Sequence, residues 1–203
     1  MTSLVLLTLS GFLAALVLGG SLGGWRMVRV RWMPFALAAL ALQLFLYNPP
    51  IDSQPWAIQL GPLLFVLAKA MMVAALLVNA LTAPWRALQA AWLIAAIGVA
   101  MNLAVVAANG GYMPQSEDAR ITSRGATLLD GETMPRLRNV KTIDESTHLV
   151  WLSDVLAQPS WMPRSNVISL GDLFLAGGLG LWAFQVTLRV PRALIRRPIL
   201  ADT

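Results

Sequence analysis

Long apolar blocks, separated by polar segments, constrain this chain more than any other feature. They occupy residues 4–22, 32–47, 59–81, 87–108 and 170–188. A helix needs about 20 predominantly apolar residues to cross a hydrocarbon core. Only 12% of the chain is charged, against 57% hydrophobic, and that is about half the charged fraction of a soluble domain. The expected fold class is therefore an all-α integral membrane protein with five transmembrane helices. Block 32–47 is the shortest, and bilayer thinning or snorkelling arginines would accommodate it. Block 4–22 lacks a basic leader and is followed by arginines, which fits an uncleaved anchor better than a signal peptide.

The formal charge of +5 has a residue-by-residue explanation. Arg26, Arg29 and Arg31 lie between the first two blocks, Arg86 lies between the third and fourth, and Arg189, Arg192, Arg196 and Arg197 follow the fifth. None has an acidic neighbour before Asp202. On the opposite side sit Asp52 and segment 109–169, with six basic and seven acidic residues. The positive-inside rule then places the N-terminus outside and the C-terminus in the cytoplasm of a bacterial cell. The basic clusters read as contacts to anionic lipids of the cytoplasmic face rather than to nucleic acid.

Three regions follow: a four-helix part over 1–108, an extracytoplasmic loop over 109–169, and a fifth helix with a basic tail over 170–203. The loop begins with Gly, Pro and turn residues and should be mostly irregular. Near 147–157, Leu149, Leu152, Val155 and Leu156 recur at helical spacing beside Trp151, and Trp161 follows. That pattern predicts a short amphipathic helix on the outer surface. Close helix packing in lipid relies on small residues. Candidate faces are Gly11, Ala15, Gly19 and Gly23 in the first block, and Ala91, Ala95, Gly98 and Asn102, continuing through Val105 to Asn109, in the fourth. The fifth block offers Gly177, Gly178 and Gly180.

One lysine, Lys69, interrupts the third block. At 1.5 Å per residue it lies roughly 15 Å deep, where a charge costs about 2.5–3.5 kcal/mol. Its candidate partners in the outer half are Gln43, Asn102 and Asp172. The Ser169-Leu170-Gly171-Asp172 run matches a capping box, in which Asp172 returns a bond to the Ser169 amide; an ion pair with Lys69 is the competing role. For Lys69 itself the alternatives are a tolerated, solvated lysine or a working site, either a proton-relay position or a pocket for an anionic or quinone-like headgroup. His148 reads as an ordinary polar loop residue. Absence of Cys removes thiol and iron–sulfur chemistry, a single His excludes bis-histidine haem, and no nucleophile–base pair or phosphate loop is present. Which cofactor the chain holds, if any, the sequence leaves unknown.

The stretches NGGYMP (109–114), DESTHLVWLSDV (144–155) and NVISLGDLFLAGGLGLWAFQ (166–185) resemble the bacterial membrane proteins grouped as domain of unknown function 5317. The resemblance picks out Asn109, Gly110, Gly111, Pro114, Asp154, Gly171 and Asp172, and departs from the family pattern around Ala157 to Trp161. It implies a fold and no activity. Two functions compete. One is a non-catalytic structural or accessory subunit of a larger bacterial membrane complex, with an energy-transducing or photosynthetic assembly as one kind, and other membrane subunits as partners. The alternative is a small carrier or ligand-binding membrane protein with a polar site around Lys69. An enzyme acting on a lipid-borne substrate is a weaker third.

Overall fold

A computed structural model describes residues 2–26, 28–124, 139–162 and 165–188. Helices form at all five apolar blocks: α1 (Thr2–Val17), α2 (Met33–Leu46), α3 (Pro55–Leu81), α4 (Arg86–Ala108) and, after a short α5 (Glu117–Arg124), α6 (Leu170–Leu188). Of these, α3, α4 and α6 are long and apolar enough to cross a membrane, whereas α1 and α2 are apolar but shorter. The long helices form the centre, with α4 against both α3 and α6, while α1 packs chiefly on α6 and α2 chiefly on α3.

The first helix stops earlier than its apolar block. Gly19 takes φ +83, Gly20 N–H reaches the Ala15 carbonyl at 2.8 Å, and Gly19 N–H reaches the Leu16 carbonyl at 3.0 Å. This is the Schellman arrangement that ends helices at a left-handed glycine. Gly19 is thus a stop signal and not part of a packing face; a Cβ there would meet nothing within 4 Å. Gly23 likewise lies beyond the helix. The α1 contact with α6 is made at Gly11, where a Cβ would overlap the Gly180 carbonyl group, and at fully buried Ala15.

Between α4 and α6 the small residues do bring backbones together. A Cβ on Gly178 would lie 2.7 Å from the Ala91 carbonyl oxygen, and one on Gly171 would lie 2.6 Å from that of Gly98. Gly177, by contrast, faces open space. Two apolar clusters fill the bundle's ends, and a third, around Leu46 and Ala57, joins α2 to α3. Leu76, Leu88, Trp92, Val99 and Val186 lie toward one end, and Phe65, Val105, Val106, Met113 and Leu152 lie toward the other.

The first of these ends carries exposed Arg26, Arg29, Arg31 and Arg86. It is tied together by Asn79, which exchanges two 2.7 Å bonds with the Arg31 backbone, and by Trp25 Nε1, which donates to Thr187 Oγ1 at 2.9 Å. Arg189, Arg192, Arg196 and Arg197 lie outside the described residues.

The opposite end carries a layer formed by the described residues between 109 and 169. Within it, β1 (Met113–Gln115) pairs in parallel with β2 (Val140–Thr142), and β3 (Leu156–Ala157) pairs antiparallel with β4 (Val167–Ile168). The expected amphipathic helix near 147–157 is absent. Leu149 adopts φ 55, Val150–Leu152 makes a single 3-10 turn, and Asp154 then joins the strand layer. Asp154 N–H donates to the Pro114 carbonyl, and the Asp154 carbonyl accepts from Ser116 N–H, both at 2.9 Å. These tertiary bonds override the helical spacing. Only Leu152 of the four spaced residues is buried at 6%, while Trp151 and Trp161 stand exposed. The helix that does form in the layer is α5, started by Ser116, whose Oγ accepts from Ala119 N–H at 3.3 Å. Glu117 and Asp118 in its first turn favour the helix dipole.

Candidate functional site

Gln43, Lys69, Asn102 and Asp172 line one cavity of about 160 Å³. It lies where α2, α3, α4 and α6 meet this layer, which contributes Met113, Asn139, Asp154, Asn166, Val167 and Ile168 as a roof.

Of the two roles open to Asp172, it takes the capping role and makes no ion pair with Lys69. Its amide donates to Ser169 Oγ at 3.0 Å, and its Oδ2 accepts from the Ser169 amide at 3.4 Å, which completes the capping box. Its Oδ1 accepts from Asn102 Nδ2 at 2.8 Å, and Ser169 Oγ–H donates to Asn102 Oδ1 at 2.8 Å. Asn102, 3% exposed, thereby joins α4 to the start of α6 with both ends of its amide used. The absence of a side chain at Gly171, directly against Asn102 Oδ1, lets this network close.

Lys69 is different. Among the described residues its ammonium has no hydrogen-bond or ion-pair partner; it lies 5.1 Å from the centre of the Phe65 ring. The charges that act on it are Asp172 and then Asp154. Gln43 donates to the Ala39 carbonyl at 3.2 Å, so its amide nitrogen is anchored on its own helix.

Asp154 is the second carboxylate of the cavity. Burial, and then the negative charge of Asp172, push its pKa up to about 7 against the pull of Lys69 and a hydrogen bond from the Gln115 side chain. It therefore gains and loses its proton near neutrality. Its place in the cavity depends on the strand pairing and was not legible from residues 144–155 alone.

The remaining motif residues build the roof support and do not line this cavity. Asn109 Nδ2 donates to the Val105 and His148 carbonyls at 2.8 and 2.9 Å, and Asn109 Oδ1 accepts from the His148 amide at 2.9 Å. One side chain thus pins the layer to the end of α4. Gly110 and Gly111 take φ +67 and +91, and Gly111 lies so close to Pro62 of α3 that a Cβ would be 2.6 Å from its carbonyl carbon. Pro114 supplies the carbonyl that holds Asp154. Among the described residues no group of three metal-binding side chains occurs.

The profile of a family of unknown function, DUF5317, matches residues 27–184. The chain belongs to this family. The matched region runs from before α2 almost to the end of α6 and includes every residue lining the cavity, whereas α1 lies outside it. No curated protein and no solved structure matches the chain, so what DUF5317 proteins do must be argued from the site.

Proposed function

We propose that this DUF5317 protein is a five-span protein of the bacterial cytoplasmic membrane that binds a small polar ligand in the outer-half cavity around Lys69. Its N-terminus and the 109–169 layer lie outside, and its C-terminus lies in the cytoplasm. Support for the orientation comes from Arg26, Arg29, Arg31 and Arg86, gathered at the end opposite the layer. There they also suit anionic headgroups. Helices α1 and α2 cross by local thinning of the bilayer, at a cost of a fraction of about 1 kcal/mol per Å of mismatch. The observation that carries the binding role is an ammonium with no hydrogen-bond or ion-pair partner among the described residues, facing a roofed cavity with a carboxylate across it. Among the described residues no nucleophile–base pair accompanies it, and the reading offered is binding or carriage.

A second reading, an accessory subunit of a larger membrane complex, draws on α1 and α2. Each packs chiefly on one neighbour, and their exposed Leu13, Val17, Leu37 and Leu44 suit another membrane subunit as well as lipid.

The chain has no Cys, so a single introduced thiol reports topology. Glu145→Cys, on the exposed layer, should react with an impermeant reagent in intact spheroplasts, and Thr82→Cys only after lysis; the reverse pattern overturns the orientation. Native mass spectrometry of protein drawn directly from membranes separates the two functions. A small bound mass lost in Lys69→Met supports the ligand site. Stoichiometric partner chains with no small mass in either protein support the subunit reading.

A further inference from the structure

The cavity's hydrogen-bonding inventory narrows its ligand, an inference that rests on the ligand-site reading above. Lys69 offers three N–H donors, none with an acceptor among the described residues. On the roof, Asp154 offers carboxylate oxygens supported by one side chain, Gln115. Asp172 is largely satisfied by Asn102 and by the Ser169 amide, and Asn102 by Asp172 and Ser169. The groups left to recognise a ligand are a donor cation on α3 and an acceptor anion on the roof, on different elements that bound the same space.

A simple anion would meet Lys69 but would have to sit beside two carboxylates. A simple cation would meet Asp154 but would have to sit beside the lysine. Only a molecule carrying both signs satisfies both walls, since a buried charged group left unmatched pays its desolvation with nothing in return. A volume of about 160 Å³ is close to that of a cavity that holds one benzene-sized molecule, about 150 Å³, which suits a small ampholyte. We propose that the cavity binds a small zwitterion of the α-amino-acid class, its carboxylate on Lys69 and its ammonium on Asp154. Phe65, under the lysine stem, and Met113, on the roof, supply the apolar walls.

The proton balance is explicit. The ligand ammonium is received by the ionised form of Asp154, whose pKa lies at about 7. The groups facing Asp154 are Asp172 on α6, Lys69 on α3 and Gln115 on β1. Binding is accordingly tighter at pH 8 than at pH 6, and Asp154 releases its proton as the ligand enters.

The test uses full-length protein in lipid nanodiscs at pH 8, titrated by calorimetry with glycine, L-alanine and L-serine, and with acetate and methylammonium as single-charge controls. At least one amino acid should bind, with acetate and methylammonium at least tenfold weaker. Lys69→Met and Asp154→Asn should each weaken binding at least tenfold, with unfolding in a thermal scan remaining cooperative. Acetate binding as tightly as the amino acids, and lost in Lys69→Met, would overturn the zwitterion while leaving the ligand site standing. No binding by any of the five probes would also overturn it, and the native mass comparison then decides the ligand site separately. Equal binding by wild type and both variants would place the ligand elsewhere and overturn both.

Discussion

Asp154→Asn has a signed effect on stability that follows from the site geometry. In the folded chain this carboxyl ionises at about 7, against an ordinary value of 3.8. Between those two pH values the folded state holds a proton that the unfolded state has released. Stability must therefore fall as pH rises through this window and level off above about 7. Roughly three pH units at about 1.36 kcal/mol each set an upper figure of about 4 kcal/mol, and solvent reaching a half-buried carboxyl reduces it to about 2–4 kcal/mol. For a chain of this size that corresponds to about 5–10 °C in apparent Tm. The amide keeps the shape of Asp154 and its contact with Gln115 but carries no charge. Thermal scans of both proteins in the same detergent from pH 4 to pH 8.5 isolate the effect as a difference curve. Wild type should lose ground to Asp154→Asn between pH 4 and pH 7, and the gap should stay constant above. A flat difference curve, or one of opposite sign, would refute burial of Asp154 beside Asp172.

The packing argument predicts opposite outcomes for adjacent glycines. Gly178→Leu drives a side chain into the α4 backbone and should abolish monodisperse protein in gel filtration, whereas Gly177→Leu, facing open space, should elute as wild type. Asn109→Ala removes the two 2.9 Å hydrogen bonds that join the end of α4 to His148 in the layer, each worth about 1 kcal/mol. It should speed proteolysis within the layer severalfold while the far-ultraviolet circular dichroism of the helices is unchanged.

The helices were largely legible because burial in lipid and burial in a bundle demand the same apolar composition. The block 170–188 coincides with α6, and the capping box at Ser169 and Asp172 marks its start. The stripe from Ala91 through Asn102 faces α6, because small side chains at spacings of three and four share one helix face. What failed did so where a single residue overrode a pattern. Gly19 continues a spacing of four from Gly11 and Ala15, yet its left-handed backbone ends the helix. The spacing of Leu149, Leu152, Val155 and Leu156 mimics a helix, but the backbone of Asp154 is claimed by Pro114 and Ser116. Ser116 followed by two acidic residues is a readable start for α5. The roof could not be read at all: β1 and β2 are three residues each and pair across a long stretch of chain, so no window of sequence contains the information.

This division bears on why Lys69 stands where it does. The cavity brings together groups that sequence reasoning proposed separately, with the lysine as a membrane anomaly and Asp154 as a motif residue. A lysine can earn its place in a bundle by locking two helices through an ion pair, but Lys69 makes none among the described residues. It can also serve as counter-ion to a carboxylate that would otherwise be stranded, but Asp172 is already held by Asn102 and by its own capping box. A methionine would lie along Phe65 in the same way and would avoid an insertion cost of about 2.5–3.5 kcal/mol. Replacing buried ionic groups by apolar ones of similar shape is often neutral or stabilising. Stability and binding then predict opposite signs for Lys69→Met: apparent Tm equal to or above wild type, with the ligand lost. A variant that loses several degrees of Tm would mean that the ammonium supports the fold itself, and the case for a binding role would lose its energetic premise.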